Sequence, residues 1–348
     1  MKRNIQILIA LLLILGCKPL VQSIPESRKS SVQTEKSNVI IAFGSCNKQD
    51  EANVFWDDIL EANPDIFIWG GDNIYADTDD MEKMKSMYLA QNANKEYAKL
   101  KNKVFITGTW DDHDYGVNDG GAEFAKKKES QALFLDFMGV NPNDLRRNRD
   151  GIYSSQSIST PSGLIKIINL DTRYFRSSLT DGRNQGVRYQ PNTYGEGTLL
   201  GAKQWLWLEQ ELNNSSALFT IIVSSIQFLS NEHGFEKWAN HPHELQSMLD
   251  LIKKNRDQRI IFLSGDRHIS EFSKMENSDF LFPLIDFTSS GLTHSYSSFS
   301  GEPNPYRIGE VISTKSFGLI ELNLIEKRAH FKIMGEDGRV FQELKQAY

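Results

Sequence analysis

Three times in this chain a short run rich in Val, Ile and Phe stops at a segment of carboxylates accompanied by His or Tyr. The segments are Gly70-Gly71-Asp72-Asn73-Ile74-Tyr75, Trp110-Asp111-Asp112-His113-Asp114-Tyr115 and Gly265-Asp266-Arg267-His268. Runs of this length and composition read as buried strands. In an open α/β sheet, polar groups that follow successive parallel strands gather along one edge. The pattern predicts a two-metal site assembled at strand ends. A further run, Val39-Ile40-Ile41-Ala42-Phe43, ends in Gly44-Ser45-Cys46-Asn47 and brings a lone thiol to the same kind of position.

Between these runs the periodicity turns helical. Strands over 39–43, 65–69 and 104–107 alternate with helices over 51–62, 80–101 and 122–138. That βαβαβ order calls for a sheet built at least partly from parallel strands. Past Asp150 the reading is a hairpin over 151–158 and 164–170, a loop over 177–200, and helices over 202–212 and 243–254. Strands over 218–224, 259–263 and 284–288 and a closing hairpin over 316–324 and 328–334 complete it. Residues 38–348 read as one domain.

Residues 1–17 read as an export leader, with Lys2 and Arg3 ahead of an apolar stretch from Ile5 to Leu15 that is too short to span a bilayer. Leu15-Gly16-Cys17 resembles the cleavage site of a bacterial lipoprotein signal. Cys17 would then carry lipid and anchor the chain in the cell envelope, on the periplasmic side or at the cell surface. An ordinary secretory signal or a short anchor is the alternative. Residues 18–37, with Pro19, Pro25 and many Ser, Lys and Glu, read as a flexible tether. Loss of Lys2 and Arg3 would take the formal charge from −6 to −8. That balance argues against a nucleic-acid scaffold, since phosphate backbones reward clustered cations. With Cys17 lipidated, Cys46 has no partner left. It is then either a buried small hydrophobe or a thiolate ligand.

Each motif has a chemical logic. Asp72 and Tyr75 can converge on one ion if the chain turns after its strand, and a phenolate suits a ferric centre because both are hard. An Asp helix cap beside a packed Tyr is the other reading. In the Trp110–Tyr115 segment, adjacent carboxylates disfavour one another's ionisation unless a cation neutralises them. Asp112 is the candidate ligand there, His113 the candidate acid or transition-state contact, and Asp114 the group expected to orient His113. Asp266 and His268, two apart, would share one side of an extended chain and serve neighbouring ions.

Taken together, Ser45-Cys46, Gly71-Asp72-x-x-Tyr75, Trp110-Asp111-Asp112-His113, Leu170-Asp171-Thr172-Arg173, Gly265-Asp266-x-His268 and Thr288-Ser289-x-Gly291-Leu292 resemble the alkaline phosphatase D (PhoD-like) family of calcineurin-like metallophosphoesterases. The resemblance runs from about Ile40 to Thr293. It implies a four-layer α/β/β/α sandwich with mixed sheets over the 38–348 domain. It also implies a ferric ion (Fe3+) held by Cys46, Asp72, Tyr75 and His268. A second ion, Ca2+ or another divalent ion such as Mn2+ or Zn2+, would be held by Asp72, Asp112 and Asp266, with Asp72 bridging.

Two departures accompany the match. The wider superfamily places a histidine after the strand that here leads into Ser225-Ile226-Gln227, and this chain has Gln227 instead. The relatives' Trp-x-x-Tyr-Pro segment appears as Trp238-Ala239-Asn240-His241-Pro242, so His241 stands where a substrate-contacting tyrosine is expected. The activity implied is hydrolysis of a phosphate ester by a hydroxide bridging the two ions, with His113 protonating the leaving oxygen. Arg173 is an expected phosphate contact through its forked donors. A phospholipase-type phosphodiesterase and a non-catalytic envelope binding protein are the alternatives.

Overall fold

A computed structural model describes residues 30–348; the leader, Cys17 and the first part of the expected tether lie outside the described residues. Strands β1–β16 and helices α1–α7 are numbered in chain order. An eight-stranded sheet runs β1 (Ser30–Gln33), β5 (Ser154–Thr160), β6 (Gly163–Asn169), β9 (Phe219–Val223), β10 (Ile260–Ser264), β12 (Leu284–Ser289), β11 (Ser270–Met275), β13 (Arg307–Ile312). A six-stranded sheet runs β16 (Val340–Ala347), β15 (Arg328–Met334), β14 (Phe317–Asn323), β2 (Asn38–Gly44), β3 (Ile66–Gly70), β4 (Phe105–Thr109).

Period-two alternation sorts the side chains of these strands between layers. From β2, Val39, Ile41 and Phe43 enter the space between the sheets and join Ile165, Ile167, Ile221, Val223, Leu263 and Phe287 in one core. Ala42 faces the other way, with Phe67 and Trp69. Helices α1 (Trp56–Glu61), α2 (Met81–Ala93), α3 (Lys95–Lys103) and α5 (Lys127–Phe137) cover that outer face through Trp56, Met84, Tyr97 and Phe134. On the opposite side α6 (Gly201–Asn213) and α7 (Pro242–Lys254) bury Leu208, Leu212, Met248 and Ile252 against Ile168, Ile222 and Phe262. Burial of each such aliphatic side chain contributes roughly 1.5–3 kcal/mol. The architecture is the α/β/β/α sandwich with mixed sheets.

What positions the site is the parallel part of each sheet. β2, β3 and β4 run parallel, as do β6, β9, β10 and β12. In the six-stranded sheet Gly44 pairs with Trp69 and Trp69 with Gly108, so the loops after all three strands leave at one level.

Several local expectations are corrected. The helix expected over 80–101 is split, because Asn94 leaves the helical region (ψ 122°) and its side chain caps the next helix at Glu96 and Tyr97. The last part of the expected tether is ordered into β1, which pairs in parallel with Gln156–Ser159. The open edge of β5 offers backbone donors and acceptors to any extended segment, whatever its side-chain polarity. The stretch 177–200 contains a two-stranded ribbon, β7 (Thr180–Asp181) with β8 (Tyr189–Gln190). A one-turn helix, α4 (Asp112–Tyr115), sits inside the second acidic motif. Among the described residues no helix is long and apolar enough to cross a membrane.

Candidate metal centre

Strand ends alone do not aim the site; the backbone just past them does. Cys46, Asp72, Asp77, Asp119, Asp266 and His268 all adopt left-handed conformations, with φ between 40° and 65°. For a residue with a Cβ this costs on the order of 1 kcal/mol or more, and it persists only where surroundings over-determine it. Gly71 (φ 103°) passes so close to the next loop that a Cβ there would lie 2.6 Å from Cβ of Asp111. At Gly265 a Cβ would meet Oγ of Ser45 at 2.6 Å. The glycines let the three loops crowd together.

The crowding brings four unlike donors into one chain of contacts. Cys46 Sγ lies 3.3 Å from Asp72 Oδ2, which lies 3.2 Å from Tyr75 OH, which lies 3.0 Å from His268 Nε2. Such separations suit donors that would share one ion at bond lengths of about 2.0–2.3 Å. Cys46, Asp72 and His268 also each offer an atom within 4.8 Å of the others. Ser290 ties the loops together, its Oγ lying 3.0 Å from Cys46 Sγ and accepting from His268 N–H at 2.8 Å. Cys46 is a buried free thiol.

Beside this set, the buried Asp111 and Asp112 and the half-buried Asp266 form a carboxylate triad with oxygens within 4.8 Å of one another. Asp111 Oδ2 is buried with no hydrogen-bond partner among the described residues. Burial, then neighbouring negative charge, drives Asp72 and Asp266 well above the usual carboxylate range. Burial likewise raises Asp111, against the pull of Arg173, and lifts the Cys46 thiol to about 11. Asp112 goes the other way, to about 2, because Arg173, His113 and the Asp119 N–H outweigh its burial. Groups this costly to ionise bare are well suited to cations that neutralise them. The donor chemistry fits two different ions: thiolate, phenolate, imidazole and one carboxylate on one side, carboxylates alone on the other.

His113 faces the same cleft. Its ring stacks on Tyr75 with centroids 4.1 Å apart, and its Nδ1 meets Asp77 Oδ2 at 2.7 Å. Burial alone would lower its pKa, but Asp72, Asp77 and Asp112 lift it to about 10. Asp114, expected to orient His113, does not touch that ring. Its oxygens accept from the N–H of Asp111 (2.7 Å), from Asn73 Nδ2 (2.5 Å) and from Tyr88 OH (3.3 Å), which makes it a brace between two loops. Asp77 is the orienting carboxylate, and the acidic run 77–80 after the first motif was its only sequence signal.

Arg173 is also displaced from its expected role. It is fully buried, with Nε 2.5 Å from Asp111 Oδ1 and Nη1 2.6 Å from Glu236 Oε2, and it is absent from the cleft wall. The expected phosphate contact is a positioning residue that fixes Asp111. Gln227 Nε2 is engaged by Glu271 and Thr288, and His241 is fully buried away from the cleft.

The cleft itself, of about 340 Å³, is lined by the motif residues Asp112, His113, Asp266 and His268, here called its floor, and by Asn118, Asp119, Arg188, Phe235, Glu236, Arg267 and Tyr296, here called its wall. Asp119 N–H donates to Asp112 Oδ2 at 2.6 Å, and the Asp119 carboxylate pairs with Arg188. His294, just beyond the Gly291-Leu292 motif, sets its Nε2 3.2 Å from that of His268. Neither Asp119 nor Arg188 stands in a motif, whereas His294 was within reach of a reading extended by two residues.

A family model described as PhoD-like phosphatase matches residues 83–315. Alkaline phosphatase D of Bacillus subtilis (strain 168) is 23% identical over 186 residues, covering 48% of this chain and 31% of that protein. The match thus spans about a third of the curated relative. Among solved structures, one titled "Structure of PhoD" superposes over 90% of this chain and 69% of its own, with a TM-score of 0.69 at 15% identity. GAP50, the anchor in the inner membrane complex of Plasmodium, gives 90% and 89%, TM-score 0.60, at 15% identity. A dimetal phosphatase from Danio rerio gives 89% and 99%, TM-score 0.52, at 11% identity. At such identities the superpositions show a shared fold.

Proposed function

Because the chain belongs to the PhoD-like phosphatase family, we propose that its cleft is the active site of a metal-dependent phosphoric ester hydrolase. One observation carries the reading: Cys46, Asp72, Tyr75 and His268, from three separate loops, form an unbroken series of donor contacts of 3.0–3.3 Å. These four would hold one cation, which we assign as Fe3+ on the strength of the phenolate and thiolate. Asp112 and Asp266, grouped with Asp111, and Asp72, grouped with Asp112 and His113, would hold the second, Ca2+ or another divalent ion such as Mn2+ or Zn2+. When bound, such a pair supplies Lewis acidity, lowering the pKa of water and neutralising phosphoryl oxygens.

The chain's own groups divide the remaining work. His113 is held through Nδ1 by Asp77, which leaves Nε2 as the nitrogen free to face an ester. Its raised pKa keeps a proton there, available to the departing alkoxide oxygen. Cations on Asp72 and Asp112 would cancel part of that rise and bring it closer to neutral. Asp112 is fixed by its own bond from Asp119 N–H, and Asp111 by Arg173. Preset groups of this kind lower the reorganisation that the reaction would otherwise require.

The shared fold of GAP50, described as an anchor, favours one alternative, a non-catalytic binding protein that keeps the sandwich. The complete donor set and the His113–Asp77 pair favour catalysis. Assaying the metal-loaded protein on a phosphomonoester, a phosphodiester and a phospholipid separates the readings. Turnover of at least one supports the hydrolase; bound metal with no turnover of any supports the binding protein. Attachment to the envelope membrane through lipid on Cys17 rests on the leader sequence alone. Incorporation of labelled fatty acid by the wild type and its loss in Cys17→Ser would test it.

A further inference from the structure

Three arginines stand around the site, and they differ in what they have left to give. Arg173 has no exposed surface and is held by Asp111 and Glu236. Arg267 places Nη2 2.7 Å from both oxygens of Glu302, lies 4.1 Å over the Phe235 ring and has a side chain only 5% exposed. Arg188 has a side chain 47% exposed and one ion-pair partner, Asp119. A guanidinium carries five N–H donors, so the Asp119 carboxylate together with the Tyr189 hydroxyl, which Arg188 also contacts, still leaves donors unused.

The position of Arg188 is built rather than incidental. Gly182 N–H donates to the Arg188 carbonyl at 3.0 Å, and Tyr189 N–H donates to the Gly234 carbonyl at 2.9 Å, so the backbone is pinned on both sides. Tyr189 OH donates to Asp119 Oδ2 at 2.8 Å and fixes the carboxylate that Arg188 grips. The same Asp119 holds Asp112 through its N–H at 2.6 Å. One residue therefore registers the arginine on the cleft wall to the carboxylate on its floor.

We propose that Arg188 is the specificity-determining residue of this cleft, engaging the third terminal oxygen of a phosphomonoester and so favouring monoesters over diesters. This rests on the phosphoesterase reading above. A monoester presents three terminal oxygens and up to two negative charges; a diester presents two oxygens and one charge. Cations held by the floor carboxylates would serve the oxygens nearest them. The extra oxygen of a monoester needs a donor from the wall, and Arg188 is the exposed guanidinium of that wall, whereas Arg267 is buried against Phe235. A diester instead brings a carbon substituent, which gains no hydrogen bond there and costs the guanidinium its water.

The test uses the metal-loaded full chain with p-nitrophenyl phosphate and bis(p-nitrophenyl) phosphate, which share a leaving group. Arg188→Gln is expected to lower kcat/KM for the monoester about 10- to 100-fold, the loss of a charge-assisted bond, and to change the diester value less than about threefold. Inhibition by inorganic phosphate should weaken in parallel, with bound metal unchanged by elemental analysis. Arg188→Lys, which keeps the charge without the fork, should recover part of the monoester rate and part of the phosphate inhibition. Equal losses on both esters, or no loss on the monoester, would overturn this proposal alone. A wild-type protein that turns over neither ester would overturn the phosphoesterase reading and this one with it.

Discussion

His113 Nδ1 lies 2.7 Å from Asp77 Oδ2, so the imidazole facing the cleft is held by a carboxylate 36 positions away rather than by its chain neighbour Asp114. Asp77 reaches it from the loop after β3 with φ of 40°, a conformation that the bond to His113 and the backbone contacts of Ala76 and Asp77 to the His113 carbonyl help to hold. A half-buried ring with one nitrogen tied has one nitrogen to offer.

Asp77→Ala should therefore lower kcat about 10- to 100-fold while leaving metal content and KM close to wild type. Steady-state kinetics with elemental analysis checks it. Asp77→Asn keeps a hydrogen-bond acceptor for Nδ1 and should retain more activity.

Acid–base linkage gives a prediction for the metal-free protein. Burial lifts Asp114 to about 7, so between about pH 4 and 7 the folded chain keeps a proton that the unfolded chain releases. The contribution of Asp114 to stability falls as pH rises through that window, by on the order of a few kcal/mol, while His233, His241, His268 and His294, which burial holds below the usual imidazole range, act in the opposite sense. Asp72, Asp111 and Asp266 are raised in the same direction and add to the fall. His113, lifted to about 10, continues it from about pH 6.5 upward. Urea midpoints at pH 5 and 8, compared between wild type and Asp114→Asn, isolate the Asp114 slope. Asp114→Asn should flatten it below neutrality, and added metal should restore stability at pH 8.

Arg173 separates a structural from a catalytic role. Arg173→Met leaves Asp111 buried without its counterion and Glu236 with Arg176 alone, a loss of about 3–5 kcal/mol. Denaturant unfolding measures it. A variant of normal stability with a raised KM would instead return Arg173 to the substrate.

Gly71→Ala tests the packing of the loops. The new Cβ would meet Cβ of Asp111 at 2.6 Å on a backbone of φ 103°. The variant should lose more than about 1 kcal/mol and bind the carboxylate-held ion more weakly. Thermal unfolding with and without metal reads both effects.

The strand ends were legible because hydrophobic runs and the residues that follow them are local in sequence. Gly44, Trp69 and Gly108 come into register as the βαβ pattern requires, and Cys46, Asp72 and Asp112 follow from there. Burial and left-handed turns are not local properties. Arg173 sits in a motif that suits an anion site, and only the tertiary structure shows its fork closed by Asp111 and Glu236. Asp77, Asp119 and Arg188 belong to polar loops whose composition says turn and nothing more. The strands β11 and β13 were missed because Ser270–Met275 and Arg307–Ile312 carry polar residues even where they are paired. Their polarity hides the alternation that marks a strand.

The account depends on four donors meeting at one ion, and metal analysis with visible absorption of wild type, Cys46→Ser and Tyr75→Phe tests it most directly. Wild-type protein should carry iron and a phenolate-to-iron absorption band. Tyr75→Phe should lose the band, and Cys46→Ser should lose much of the metal. Iron and the band retained unchanged in both variants would contradict the convergence of Cys46 and Tyr75 with Asp72 and His268 on a shared cation.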